Sequence, residues 1–144
     1  ANAVREKVVP IFGGEQYRPN VHVADAARAF VACLEAPLEA VSEEVFNVGS
    51  NNQNYQIEEV GRLVRDCIPD AKLDLQRAKA DDRSYRVEFS KIHDKLNYEV
   101  QNTISDGCRE IRDALRSGSI EDYSRERFNN YETLRSGSGT LEIE

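Results

Sequence analysis

Arg18, Arg83 and Arg86 carry the most pointed chemistry in this sequence, and Tyr17 and Tyr85 stand directly beside them. A guanidinium is a rigid planar fork that matches the oxygens of a phosphate two at a time. Arg18 follows the Gly13-Gly14 turn and precedes Pro19, which restrains the backbone of the residue before it. Arg83 sits in a charged loop with little apolar content to bury. A tyrosine next to such an arginine could stack on a base or hydrogen-bond a ribose. The plainer roles are a surface salt bridge worth about 0–1 kcal/mol and half-buried packing with the phenol in water. Spacing alone favours those plainer roles.

The loop Ser50-Asn51-Asn52-Gln53-Asn54-Tyr55 is rich in amides, which can read sugar hydroxyls because one side chain both donates and accepts. Equally, such amides bond their own backbone, and the residue types leave the two readings level. Asn47, on a buried-looking strand, is expected to satisfy loop backbone. His22 lies between two valines and is read as a structural histidine whose ring bonds backbone, since no acid partner or nucleophile is apparent.

Other chemistry is missing from the pattern. No GxGxxG loop links a strand to a helix, and "FGGEQ" leads into a second strand. No Tyr-x-x-x-Lys pair, no Ser/His/Asp constellation and no metal set emerges, so the catalytic and metal assignments are none. Cys33, Cys67 and Cys108 are odd in number, far apart and without a CxxC spacing, which indicates neither zinc nor a redox motif. Cys33 and Cys108 fall on apolar helix faces as small hydrophobes. A reduced, cytoplasmic protein is expected.

The elements that must hold these residues follow from periodicity. Val8–Phe12 reads as a strand ended by Gly13-Gly14, and Val21-His22-Val23 as a second short extended run. Asp25 is expected to cap a helix whose stripe is Ala26, Ala29, Phe30, Cys33 and Leu34, closed by Pro37. Val45–Val48 reads as a strand ended by Gly49. A helix then carries Ile57, Val60, Val64 and Ile68 on one face and stops at Pro69. "AKLDLQ" alternates over Leu73 and Leu75 as a strand. A short helix contains Ile92 and Leu96, and Thr103 with Asp106 forms a capping box for a helix burying Ile104, Cys108, Ile111 and Leu115. A last short helix is expected near Tyr123 to Tyr131, and the tail "RSGSGTLEIE" should be flexible. The order predicts a small mixed α/β (α+β) layer, a small sheet with packed helices, in one unit over residues 1–116 with a polar extension over 117–144.

The chain has 144 residues, enough for one core. Its net charge of -7 argues against a general nucleic-acid binder, because phosphate contacts need a surplus of Lys and Arg. Apolar runs are too short for a membrane span, and no signal-peptide pattern is seen.

Three blocks in order, "IFGGEQYRPNVHVADAARAFVACLEAP", "EVFNVGSNNQNYQIEEVGRLV" and "DDRSYRVEFSKI", resemble the C-terminal, substrate-binding part of extended short-chain dehydrogenases/reductases, the NAD-dependent nucleotide-sugar epimerases and dehydratases. The resemblance runs from about Val8 to Leu115. It implies a fold without the N-terminal Rossmann motif region, so NAD and the catalytic Tyr-x-x-x-Lys would belong to segments this sequence does not contain. It further implies that Arg18 reaches the nucleotide or its phosphates and that Arg83 grips the diphosphate. Tyr17, Tyr85, Asn52 and Asn54 would complete the pocket, with Asn51 to Tyr55 along its rim. Glu88 stands where many relatives have Asp. The implied function is the nucleotide-sugar-binding portion of an isomerase or lyase, inactive alone and separated from its catalytic half. The alternative is a stand-alone, self-associating binding or assembly module, or an inactive fragment. Either a homo-oligomer or a missing Rossmann half is the expected partner, since a lone copy should expose an apolar patch.

Overall fold

Val8, Val9, Pro10, Ile11 and Phe12 form strand β1 (Val8–Phe12), with Val9 and Ile11 buried on one side. The computed structural model describes residues 1–77, 83–125 and 128–135. A short helix, α1 (Asn2–Arg5), precedes β1. Strand β2 (Tyr17–Pro19), helix α2 (Val23–Glu35), helix α3 (Leu38–Val41), strand β3 (Asn54–Gln56), helix α4 (Ile57–Cys67) and strand β4 (Lys72–Gln76) follow in order. Beyond them come α5 (Ser90–Leu96), α6 (Ile104–Ser117) and α7 (Asn130–Arg135). The fold is mixed α/β, as the order of apolar periods implies.

Two small sheets organise it. β1 pairs in parallel with β4, Val8 against Lys72 through Phe12 against Gln76. β2 pairs antiparallel with β3, Tyr17 against Gln56 and Arg18 against Tyr55. The first sheet is covered by α4 and α1, and its core joins Ala3, Val9, Ile11, Cys67, Ile68 and Ala71. A second cluster of Ala29, Ile92 and Tyr98 ties α2 to α5. α4 begins with a capping box in which Gln56 and Glu59 satisfy each other's backbone donors. The capping box of Thr103 with Asp106 opens α6 as expected. Tyr123 donates its hydroxyl to Asn2 at 3.2 Å, bringing the segment after α6 back to α1.

Five expectations are corrected. Val21–Val23 is not a strand: the extended run is Tyr17–Pro19, which has β3 to pair with, and the helix already starts at Val23. Its cap is His22, whose Nδ1 accepts from the Ala24 N–H at 3.2 Å, and not Asp25. Val45–Val48 joins neither ladder, because β1 to β4 account for the strand pairing among the described residues. The apolar stripes are only half buried: Phe30 and Leu34 of α2 and Ile111 of α6 face outward. The last helix is Asn130–Arg135, later than Tyr123–Tyr131. The tail from 136 onward, and residues 78–82 of the charged stretch, lie outside the described residues. No helix among the described residues is long and apolar enough to cross a membrane.

Candidate functional site

β2 sets the backbone of Tyr17 and Arg18, and a second extended segment, residues 83–89, runs along its free edge. Tyr85 donates its backbone N–H to the Tyr17 carbonyl at 3.3 Å, and the Tyr17 N–H bonds the Ser84 hydroxyl oxygen at 3.1 Å. Across this seam the arginines and tyrosines interleave. The Arg18 guanidinium lies 5.1 Å from the centre of the Tyr85 ring. Arg86 lies 3.8 Å from the centre of the Tyr17 ring. Arg18 Nη1 also donates to the Tyr17 carbonyl at 2.8 Å and to the carbonyl of Arg83. Each guanidinium–ring contact at such an exposed site contributes roughly 0.5–1 kcal/mol. Four of the six residues singled out from the sequence, Tyr17, Arg18, Arg83 and Tyr85, therefore meet at one seam, joined by Arg86.

The amide-rich loop explains why residues 83–89 lie there. Ser50 caps a single tight turn over Asn51–Gln53. The Asn54 side chain accepts from the Val87 N–H at 2.9 Å and donates to the Val87 carbonyl at 2.9 Å, as an adjacent strand would. Asn51 accepts from the Phe89 N–H at 2.9 Å and donates to Glu88 at 2.9 Å. Asn47 donates to the Glu88 carbonyl at 3.2 Å, in keeping with the loop-supporting role expected of it. Hydrogen bonds from Ser90 and Asn51 hold the Glu88 carboxyl below the usual carboxylate range. So the amides of Asn51 and Asn54 are engaged with backbone and neighbouring side chains, and they position the arginine segment.

Two cavities flank this region. A cleft of about 310 Å³ is lined by Pro19, Asn20, Val21, Asn47, Tyr85 and Phe89, among others. A larger one of about 490 Å³ includes Asn52, Tyr55, His93, Tyr98 and Glu99. Tyr85 thus belongs to the first and Asn52 to the second, with the buried Phe89 ring shared between them. Asn20 and Val21 were not singled out from the sequence. Their only signal is adjacency to Arg18 in the chain. His22 does have an acid partner, Glu110, at 2.8 Å, supplied by α6 from far along the sequence.

The Gly13-Gly14 turn does not fit the phosphate cradle of a dinucleotide. Both glycines have positive φ, but the Gly14 N–H is taken by the Gln16 side chain at 2.7 Å and the chain continues into β2. What the arginine–tyrosine seam offers is recognition: forked cationic donors alternating with flat aromatic faces beside a cleft.

Residues 1–49 match the NAD dependent epimerase/dehydratase family. The chain is 30% identical over 118 aligned residues to the dTDP-glucose 4,6-dehydratase of Escherichia coli, a match covering 75% of this chain and 32% of that protein. The dTDP-glucose 4,6-dehydratase of Shigella flexneri is equally similar. Among solved structures, an L-threonine dehydrogenase from Clostridium difficile superposes with a TM-score of 0.67 at 17% identity, over 83% of this chain and 39% of that one. The dTDP-glucose 4,6-dehydratase of Bacillus anthracis in complex with NAD superposes with a TM-score of 0.59 at 21% identity, over 82% and 37%. These structures share the fold. The chain spans about a third of the length of the curated relatives it matches. By sequence the chain is similar to the NAD-dependent epimerase/dehydratase family, and it shares the fold of these solved structures.

Proposed function

We propose that this chain is the nucleotide-sugar-binding part of an NAD-dependent sugar epimerase or dehydratase, with the cofactor and the proton- and hydride-transferring groups supplied from outside residues 1–116. One observation carries the reading. Two segments, joined by a bond between residues 65 positions apart, bring Arg18, Arg83, Tyr17 and Tyr85 to a single seam beside a cleft. In this reading the two arginines hold the diphosphate, and the tyrosines pack on base or ribose. Asn54 acts by keeping Val87 and its neighbours in place, and Asn52 contributes from the neighbouring cavity. NAD, when bound in the complete enzyme, supplies the oxidation and re-reduction of the sugar. Remote contacts of the diphosphate kind orient the reacting carbon and so raise the rate of the chemical step.

The curated relatives make dTDP-glucose the first ligand to try. Calorimetric titration of the chain with dTDP-, UDP-, GDP- and ADP-sugars should give saturable binding to one of them, weakened at least about tenfold, or 1.4 kcal/mol, in Arg83→Ala. Binding that Arg83→Ala leaves intact, or silence across the whole panel, overturns the reading.

The alternative, a self-associating module descended from that family, draws on a different observation. α2 and α3 turn Phe30, Val31, Leu34 and Leu38 outward as one apolar run.

A further inference from the structure

Cys67 and Cys108 are 41 positions apart, yet the fold sets them together. Cys67 ends α4, and three residues of one face of α6 surround it. Its thiol lies 3.7 Å from the Ser105 carbonyl oxygen. Cys108 packs against the buried cluster that contains Cys67. The Arg112 guanidinium donates to the Cys67 carbonyl at 3.0 Å. Positions 105, 108 and 112 follow one another at the three- and four-residue steps of a helix face, so Cys108 is the member of that face centred on Cys67. Cys33 lies apart, on α2.

We propose that Cys67 and Cys108 form a thiol pair that hydrogen peroxide oxidises to an intramolecular disulfide linking α4 to α6. Cys108 is the more exposed of the two and reacts first. Its sulfur attacks one peroxide oxygen, the O–O bond breaks, and the departing hydroxide leaves as water with the thiol proton, giving a sulfenic acid. The Cys67 sulfur then attacks the Cys108 sulfur and displaces hydroxide, which takes up the Cys67 proton as a second water. Two thiols are oxidised by two electrons and one peroxide is reduced to two waters. Burial raises the Cys108 thiol above its ordinary range, and Cys67 adds to that, so its thiolate is scarce and its attack on peroxide is slow.

The bond would close a loop whose 40 intervening residues contain β4, α5 and the segment that carries Arg83 and Tyr85. It would narrow the freedom of that segment without touching the seam itself.

The test is peroxide treatment of the native chain, then denaturation and N-ethylmaleimide labelling, with intact-mass and peptide mapping. The expected product carries one maleimide, on Cys33, in place of three, and a peptide pair joins Cys67 to Cys108. Dithiothreitol restores three labels. Cys33→Ser keeps the cross-link and Cys108→Ser abolishes it. Three labels after oxidation, separate sulfinic acids on Cys67 and Cys108, or a bridge from Cys33 would each overturn the proposal. Peptide mapping of the unsubstituted chain decides the matter even if a variant fails to fold.

Discussion

Asp25, expected to cap α2, is instead fully buried at 0% exposure. Its carboxylate accepts from the backbone N–H groups of Gln101 and Asn102, both at 2.9 Å, and pairs with Arg28 at 2.5 Å. Burial alone would raise its pKa, but those hydrogen bonds and Arg28 outweigh it and the net shift is downward. A depressed folded-state pKa means that the stabilisation is complete above the unfolded value and is lost as pH falls through the folded one. Asp25→Ala leaves several buried donors unsatisfied and should cost on the order of 3 kcal/mol. Urea unfolding across pH 2–6 should show the acid loss in the native chain and a flatter profile in Asp25→Asn. An unchanged profile would mean that the site is not coupled to folding. At the seam, Arg18→Lys retains the charge but not the fork. Nucleotide-sugar affinity should therefore fall as it does for Arg18→Ala, where a simple charge requirement would leave Lys near native.

Elements depend here on two kinds of contact. Gly61 lets α4 lie directly on β1, since a Cβ there would sit 2.4 Å from Ile11 Cδ1. Gly61→Ala should destabilise by about 1–3 kcal/mol, read as a lowered thermal midpoint with unchanged helix content. Glu44 bonds Lys91 at 2.6 Å and also Lys95, pinning the segment after α3 to α5. Those lysines pull its pKa down to about 2 from an ordinary 4.5. The pin is complete above about pH 4.5 and released as pH drops toward 2, and Glu44→Gln should remove that part of the acid dependence. The same elements show what was legible in the sequence. α4, α5, α6, β1 and β4 were legible because each carries its periodic apolar pattern within its own residues, although α6 and β4 leave that pattern only partly buried. The corrections fall where the deciding partner is distant. His22 displaced Asp25 as the cap because Asp25 is held by Gln101 and Asn102. The strand at Tyr17–Pro19 depends on β3, nearly forty residues later. The arginines and tyrosines could be named singly, but their interleaving across β2 needed Asn54 and Val87 to be in register. Asn54 and Asn51 looked equally suited to a sugar and to backbone, and their bonds to Val87, Glu88 and Phe89 are long-range contacts that the residue types do not show.

For the whole molecule the outward face of α2 and α3 is the open question of assembly. Phe30 at 74%, Leu34 at 85% and Leu38 at 72% exposure stand outward together with Val31 within nine residues of the chain. Such a face asks for a cover, and a second copy of the chain is the occupant available to the purified protein. Light scattering at rising concentration should give a mass above 16.3 kDa. Phe30→Ser with Leu34→Ser should return it to the single-chain value. A native chain that stays at the single-chain mass throughout would remove self-association.

The pairing of β1 with β4 bears on how the chain is born. Every residue of β1 waits for a partner more than sixty positions downstream. At a synthesis rate of about 5–20 residues per second, the first strand leaves the ribosome several seconds before its ladder can close. During that interval its valines and isoleucine are a bare hydrophobic ribbon, and Pro10 in the middle interrupts the row of backbone donors a stray strand would need. A proline at that position leaves any mispaired ladder one hydrogen bond short.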